Sequence, residues 1–399
     1  MKRLSKGIES QVAHADQTDP SNYVLTMSAL SIRVPEKTLT ASPYVAGKPI
    51  EEVARELGLD PTTIVKLASN ENPLGMSPKA AAAVAALNSS DVARYPDANG
   101  FALKRVIATH HDIDPSTLTL GNGSENLLEL VAKAFIEPGV SAVSSQYAFI
   151  VFAQSVHNAG GENIIVPALN LANNLDAMRA AIRPDTVALY IANPNNPTGT
   201  FVAPSEMERF LQSVPPSVLV VLDEAYNEYL PDHLRYDGTQ YARRFPNVIV
   251  TRTFSKVYGL AGLRVGYAVS SPEVADYMNR VRTVFNVNEH AQVAAAAALH
   301  DVEFIQRSKE ANASELARVQ GALDDMGVSY VPSVANFVLL HVGDGAAVNA
   351  ALLHDGIIVR PTAMYGLTEW LRVTIGLPTE NDRFLAALRS ALGKHPNAR

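Results

Sequence analysis

The chain has 399 residues, 47% of them hydrophobic and 18% charged, with a formal net charge of −7 and no cysteine. That length suits two domains, or one large domain with a smaller one. The acidic balance without a basic stripe argues against a nucleic-acid partner, the lack of any apolar run near ~18–20 residues argues against a membrane span, and the absence of cysteine removes disulfides, thiolate metal sites and cysteine nucleophiles.

Taken in chain order, residues 1–32 open with Lys2, Arg3 and Lys6, but Glu9, His14, Asp16 and Asp19 follow where a targeting signal needs an apolar stretch. They read as an N-terminal extension of a cytoplasmic protein. "SPKAAAAVAALN" (77–88) reads as a helix capped by Ser77, with Pro78 in its first turn. His110 and His111 read as part of a polar loop, and no histidine spacing suggests a metal site. From about residue 117, β-branched runs alternate with amphipathic segments. The runs are "TLTL" (117–120), "SAVSS" (141–145), "NIIVPA" (163–168), "TVALYIAN" (186–193), "SVLVVLDEAY" (217–226), "NVIVTRTF" (247–254) and "VGYAVSS" (265–271). Their continuous apolar character predicts strands buried on both faces, hence a mostly parallel sheet covered by helices. Beyond residue 300 come a long charged helix, the strands "NFVLLHV" and "LRVTIG", and a last helix. The expectation is an α/β fold: a large domain over 75–295, and a smaller α+β domain from 33–74 and 296–399.

In open α/β sheets, ligands bind beyond the carboxyl ends of the strands, and the unusual residues fall there. "GNGSEN" (121–126) opens a helix, a place where free N–H groups and the helix dipole favour a phosphate. "PNNPTGT" (194–200) follows another run. Asp223 ends an apolar strand, as a cap, as part of a buried ion pair, or as the partner of a bound cationic group. Lys256 lies in "TRTFSKVYGLAGLRVGY" (251–267), as a point charge for a phosphate or as an amine that bonds a carbonyl. One ligand asks for all of these together: a phosphate, an aromatic ring, a ring nitrogen wanting a carboxylate, a phenolic oxygen wanting donors and an aldehyde wanting a lysine. That ligand is pyridoxal 5′-phosphate.

With "PYVAGKPIEEVARELGL", "KLASNENPLG", "RYPDANG", "NPNNPTG", "DEAY", "TFSKVYGLAGLRVGY" and "VRP…LRVTIG" in this order, the chain from about 40 to 395 resembles the fold-type I (aspartate-aminotransferase fold) pyridoxal-phosphate enzymes, and among them the histidinol-phosphate aminotransferase branch. The resemblance implies that Lys256 bonds the cofactor and moves the substrate proton. It implies that Asp223 pairs with the ring nitrogen and that Asn196 and Tyr226 donate to the ring oxygen. Asn122, Gly123, Ser124, Thr253, Ser255 and Arg264 would hold the phosphate, and Tyr147 would stack on the ring. Tyr95 would reach the cofactor of a neighbouring subunit, which implies a homodimer with composite sites. Arg360 and Arg372 would grip the anionic end of the substrate, with Tyr44 and Asn72 as further pocket residues. "PTAMYGLTEW" between the two arginines departs from the branch's glycine-rich form, and "SQYAF" departs from its proline-containing one. The partners implied are a small-molecule amino donor and a 2-oxo acid, first histidinol phosphate and 2-oxoglutarate. The alternatives are an aromatic-amino-acid or specialised-metabolism aminotransferase, with Tyr44, Tyr147 and Tyr258 lining an aromatic pocket, and a non-catalytic regulator on the same fold.

Overall fold

The computed structural model describes residues 34–41 and 47–394. Tyr44 and residues 1–32 lie outside the described residues. The chain divides into a unit of residues 1–40, whose described part is the short helix Glu36–Leu39, and a unit of residues 41–399. Everything below belongs to the second unit.

Its strands, in chain order, are β1 (Val65–Lys66), β2 (Leu118–Gly121), β3 (Ser141–Ser145), β4 (Glu162–Val166), β5 (Thr186–Ala192), β6 (Leu219–Asp223), β7 (Val248–Thr253), β8 (Gly266–Val269), β9 (Tyr330–Val331), β10 (Phe337–His341), β11 (Ile357–Ile358), β12 (Arg360–Thr362) and β13 (Leu367–Thr374). The seven runs read from the sequence become the seven strands of one sheet, in the order β2-β8-β7-β6-β5-β3-β4. Neighbours from β7 to β4 pair in parallel, while β8 runs antiparallel to both β2 and β7.

Both faces of this sheet are buried, which is why its strands lack polar alternation. Along β5, Leu189 and Ile191 enter one apolar cluster and Ala188, Tyr190 and Ala192 the other. Val220 and Leu222 of β6 take the first side and Val221 the second, and Val250 and Ile249 of β7 divide the same way. Helix Pro78–Ala85 starts as expected, with the Ser77 hydroxyl accepting from the Ala80 amide at 3.3 Å. The polar loop expected at His110–His111 is instead the last turn of helix Phe101–His111. His111 is buried there, with Nε2 2.6 Å from the Tyr267 hydroxyl, so the pair of rings is tertiary packing.

The later strands form an antiparallel sheet, β12-β13-β10-β9. Val338, Leu340, Leu371 and Val373 point into a cluster with helices Val302–Asp325, Gly345–His354 and Pro378–Lys394. A small parallel pair, β1 with β11, delivers the chain from Val65 to Glu71 alongside Arg360. The carboxyl ends of β5, β6 and β7, the start of β8, and the faces of β12 and β13 therefore converge on one region.

Candidate active site

At that convergence lies a cavity of about 400 Å³. Ser69, Asn70, Glu71, Ser124, Phe149, Asn196, Asp223, Tyr226, Thr253, Ser255, Lys256, Arg264, Arg360 and Arg372 all face it. The Lys256 ammonium is part-buried, donates to the Ser69 carbonyl at 3.1 Å and lies 5.6 Å from the centre of the Tyr226 ring. Burial, with Arg372 adding repulsion, brings its pKa down to about 7; Glu71 and Asp223 oppose the shift. An amine half neutral at neutral pH can attack a carbonyl and later carry a proton.

Asp223 closes β6. Its carboxylate accepts from the Thr251 hydroxyl at 3.1 Å and the Ala225 amide at 3.2 Å, neither of them a cation. Burial raises its pKa to about 6. A carboxylate held this way favours a protonated ring nitrogen beside it, since that charge restores what burial removes. Tyr226 is also buried, which raises its phenol to about 12, and its hydroxyl accepts from Asn70 Nδ2 at 2.9 Å, leaving the phenolic proton to donate. Asn196 Oδ1 accepts from Arg372 Nη1 at 2.6 Å. A guanidinium only donates, so the oxygen must face it and the amide nitrogen is presented elsewhere as a donor.

The phosphate end is built by crowding. Gly266 of β8 lies in register between Gly121 of β2 and Thr253 of β7. A Cβ on Gly266 would stand 2.7 Å from the Ser124 amide nitrogen and 2.8 Å from the Arg252 carbonyl, so only glycine lets the two loops approach. Gly123, at φ 81°, turns the chain into helix Ser124–Phe135, and a Cβ there would collide with the Arg264 guanidinium. Arg264 itself has φ 57°, a left-handed conformation costly for an arginine. Its Nη1 donates to Ser255 Oγ at 3.4 Å, and the Ser255 amide donates to Thr253 Oγ1 at 3.1 Å. A helix N-terminus, three hydroxyls and a guanidinium thus meet at one end of the cavity. Ser124 faces it. Asn122 does not: it is exposed, and its amide donates to Asn126.

Besides Asn122, four expected residues lie elsewhere. Tyr147 packs against Val331, Leu339 and Leu367 of the smaller sheet while Asn195 holds its carbonyl at 2.9 Å, so the aromatic facing the cavity is Phe149. Asn72 is saturated by Val257, Ser308 and Leu74 at 2.8, 2.9 and 3.0 Å and does not face the cavity. The asparagine of that segment that does is Asn70, with φ 55° and both amide ends bonded, to Tyr226 and Thr374. Tyr95 is 82% exposed, stacked on Phe285 at 4.5 Å and away from the cavity. Tyr258, offered as an aromatic wall, is core beside Phe254. Arg360 is buried beside Met364, in register with Arg372 on the neighbouring strand, and both line the cavity. Asn70, Glu71 and Phe149 were not singled out by sequence reasoning; each lies within two residues of one that was.

Pyridoxal phosphate fits this donor set: an anion seat at one end, a buried carboxylate and a depressed lysine in the middle, and amide and phenol donors between them. An α/β sheet of this order with such a site defines a fold-type I aminotransferase-like enzyme. The chain belongs to the class I and II aminotransferases, whose family model matches residues 62–388. It is 54% identical over 362 residues to histidinol-phosphate aminotransferase 1 of Cupriavidus pinatubonensis, covering 90% of this chain and 96% of that one. It is 52% identical over 364 residues to histidinol-phosphate aminotransferase 2 of Ralstonia nicotianae, covering 90% and 97%. The crystal structure of histidinol-phosphate aminotransferase from Sinorhizobium meliloti in complex with pyridoxal 5′-phosphate superposes with a TM-score of 0.85 at 30% identity, covering 93% of this chain and all of that one.

Proposed function

We propose that this aminotransferase uses pyridoxal phosphate to move the amino group of histidinol phosphate to 2-oxoglutarate, a step of histidine biosynthesis. The observation that carries the reading is the cavity itself, which a lysine with a pKa near 7 shares with a phosphate cup and with the paired guanidiniums of Arg360 and Arg372. The cofactor, when bound, supplies an electron sink for the pair released at the donor's Cα. Lys256 takes the proton from that Cα and returns one when the second substrate reacts. Asp223 holds a proton on the ring nitrogen. Asn196 and Tyr226 donate to the ring oxygen, and Phe149 covers the ring face. Ser124, Thr253, Ser255 and Arg264 hold the cofactor phosphate. Two guanidiniums suit a phosphate dianion in one half-reaction and a carboxylate in the other.

We further read residues 75–295 as the large domain and 33–74 with 296–399 as the smaller. Among the described residues no helix is long and apolar enough to cross a membrane, and we place the enzyme in the cytoplasm. We take it to act as a homodimer. The support is the exposed apolar surface of Tyr95, Phe101, Val284 and Phe285, unusual on a monomer and fitting for a second copy.

The test is a half-reaction without 2-oxo acid. The cofactor-loaded enzyme is mixed with histidinol phosphate or with phenylalanine, and the visible absorbance of the lysine-bound cofactor is followed. Fast loss with histidinol phosphate and slow loss with phenylalanine is expected. Loss with phenylalanine alone, or with neither, overturns the reading.

A further inference from the structure

The cavity holds three carboxylates, and the proposed mechanism uses one, Asp223. Glu125 lies 3.8 Å from the Arg264 guanidinium and belongs to the phosphate cup. The third is Glu71. It faces the cavity from the segment that follows β1, directly after Asn70, which fixes the Tyr226 hydroxyl, and two residues after Ser69, whose carbonyl holds Lys256. Its Oε1 accepts from Lys66 Nζ at 3.0 Å, which sets the orientation of the carboxylate. Among the described residues, no hydrogen bond reaches Oε2. An acidic group is out of place in a cavity lined by three arginines and a lysine. Arg264, Arg360, Arg372 and Lys256 line the same cavity, and a dicarboxylate bound near Glu71 would meet repulsion from it.

We infer that Glu71 is a specificity-determining residue that accepts a hydrogen bond from the ring N–H of an imidazole-bearing donor. The inference rests on the functional reading above. Histidinol phosphate has three recognition ends: an amine for Lys256 and the cofactor, a phosphate for the arginines, and an imidazole. A carboxylate oxygen with spare acceptor capacity suits the imidazole, charged or neutral, because either form presents an N–H. Glutamate has no third end of this kind. Glu71 would therefore help the first substrate and add nothing for the second, so each half-reaction would draw on a different part of one cavity.

The closing experiment compares three donors in half-reactions of the cofactor-loaded enzyme: histidinol phosphate, phenylalaninol phosphate and glutamate. The second keeps the amine and phosphate and replaces imidazole by phenyl. Equilibrium binding of histidinol phosphate to the cofactor-loaded, catalytically arrested Lys256→Ala protein is measured alongside, with and without Glu71→Gln. Glu71 also acts on Lys256 through space, but that effect is common to all donors and cancels in their ratio. In Glu71→Gln the preference for histidinol phosphate over phenylalaninol phosphate should fall by about tenfold, as for a hydrogen bond to a charged, half-exposed group. Its binding should weaken by a similar factor, and its half-reaction rate should fall relative to that with glutamate. Glu71→Asp should restore part of the preference. A preference that survives intact in Glu71→Gln overturns the inference and leaves the functional reading standing. A wild-type enzyme that converts neither amino-alcohol phosphate overturns both.

Discussion

Arg372 Nη1 donates to Asn196 Oδ1 across 2.6 Å, and Nη2 of the same guanidinium donates to the Ala68 carbonyl at 2.7 Å. One side chain from β13 thereby orients the amide at the end of β5, braces the segment leading to Glu71, and adds to the repulsion that keeps Lys256 partly neutral. A substrate anion at Arg372 will be felt at Lys256 through this arrangement. Arg372→Met should therefore have two separable effects. Turnover with carboxylate donors should fall by roughly 10²–10³, the range for truncating one partner of a buried charge pair. The pKa of Lys256 in the cofactor-free protein should rise, seen as an upward shift in the pH dependence of cofactor attachment. A loss of turnover with no movement of that profile would deny the electrostatic link.

Phe149, not Tyr147, should govern the cofactor's ring face. Phe149→Ala should weaken cofactor binding by about 0.5–1.5 kcal/mol from the lost ring contact, together with the lost burial of the side chain. Tyr147→Phe should be nearly silent in the same titration, since the ring packs among Val331, Leu339 and Leu367. The reverse ranking would restore Tyr147 to the stacking role.

The cofactor-free protein should show the cost of the buried lysine. Its pKa is about 7 folded and 10.5 in the reference state, so between those values the unfolded chain binds more protons and stability rises with pH. Lys256→Met should remove that rise and stabilise the protein below pH 7. Asp223 has the opposite slope: with its pKa raised from 3.8 to about 6, the folded state binds more protons over that interval and stability falls as pH increases through it. Asp223→Asn should flatten the fall. Denaturant melts of the three proteins at several pH values check both signs.

Much of this site is legible in the sequence, because strands buried on both faces announce themselves as unbroken apolar runs, and chemistry-bearing residues stand out where those runs stop. Lys256, Asp223, Tyr226, Asn196, Ser255 and Arg264 are all of this kind. Direction is another matter: nothing in "VGYAVSS" distinguishes an antiparallel β8 from its parallel neighbours, although that reversal is what brings Arg264 back to Ser255. The two-residue offsets between the expected and the cavity-facing residues have a common cause. "SNENP" offers two asparagines and "QYAF" two aromatics, and in each the choice depends on which side chain a distant partner claims. Val257 and Ser308 claim Asn72. Asn195 holds the carbonyl of Tyr147 while the smaller sheet takes its ring.

The exposed stack of Tyr95 on Phe285, 4.5 Å apart and 12° from parallel, gives the homodimer reading a direct test. Phe285→Glu should place a charge in the contact and shift sedimentation toward the monomer, with specific activity falling on dilution. An unchanged sedimentation profile would move the interface to another face.

Arg360 offers a test of whether the substrate anion in the cavity is a phosphate or a carboxylate. It is buried beside Met364 at the start of β12, in register with Arg372 of β13, so the two guanidiniums belong to neighbouring strands of one sheet. A carboxylate can be satisfied by one bidentate arginine, whereas a phosphate dianion has the charge and the oxygens for two. Arg360→Ala should thus reduce kcat/KM for histidinol phosphate by roughly 10²–10³, while phenylalanine, held through Arg372, loses far less. Phosphate in the buffer should compete with histidinol phosphate in the wild type and only weakly in the variant. Equal losses for both donors would mean that Arg360 supports the fold of β12 and makes no contact specific to the phosphate, and the substrate would have to be sought among carboxylate-bearing amines.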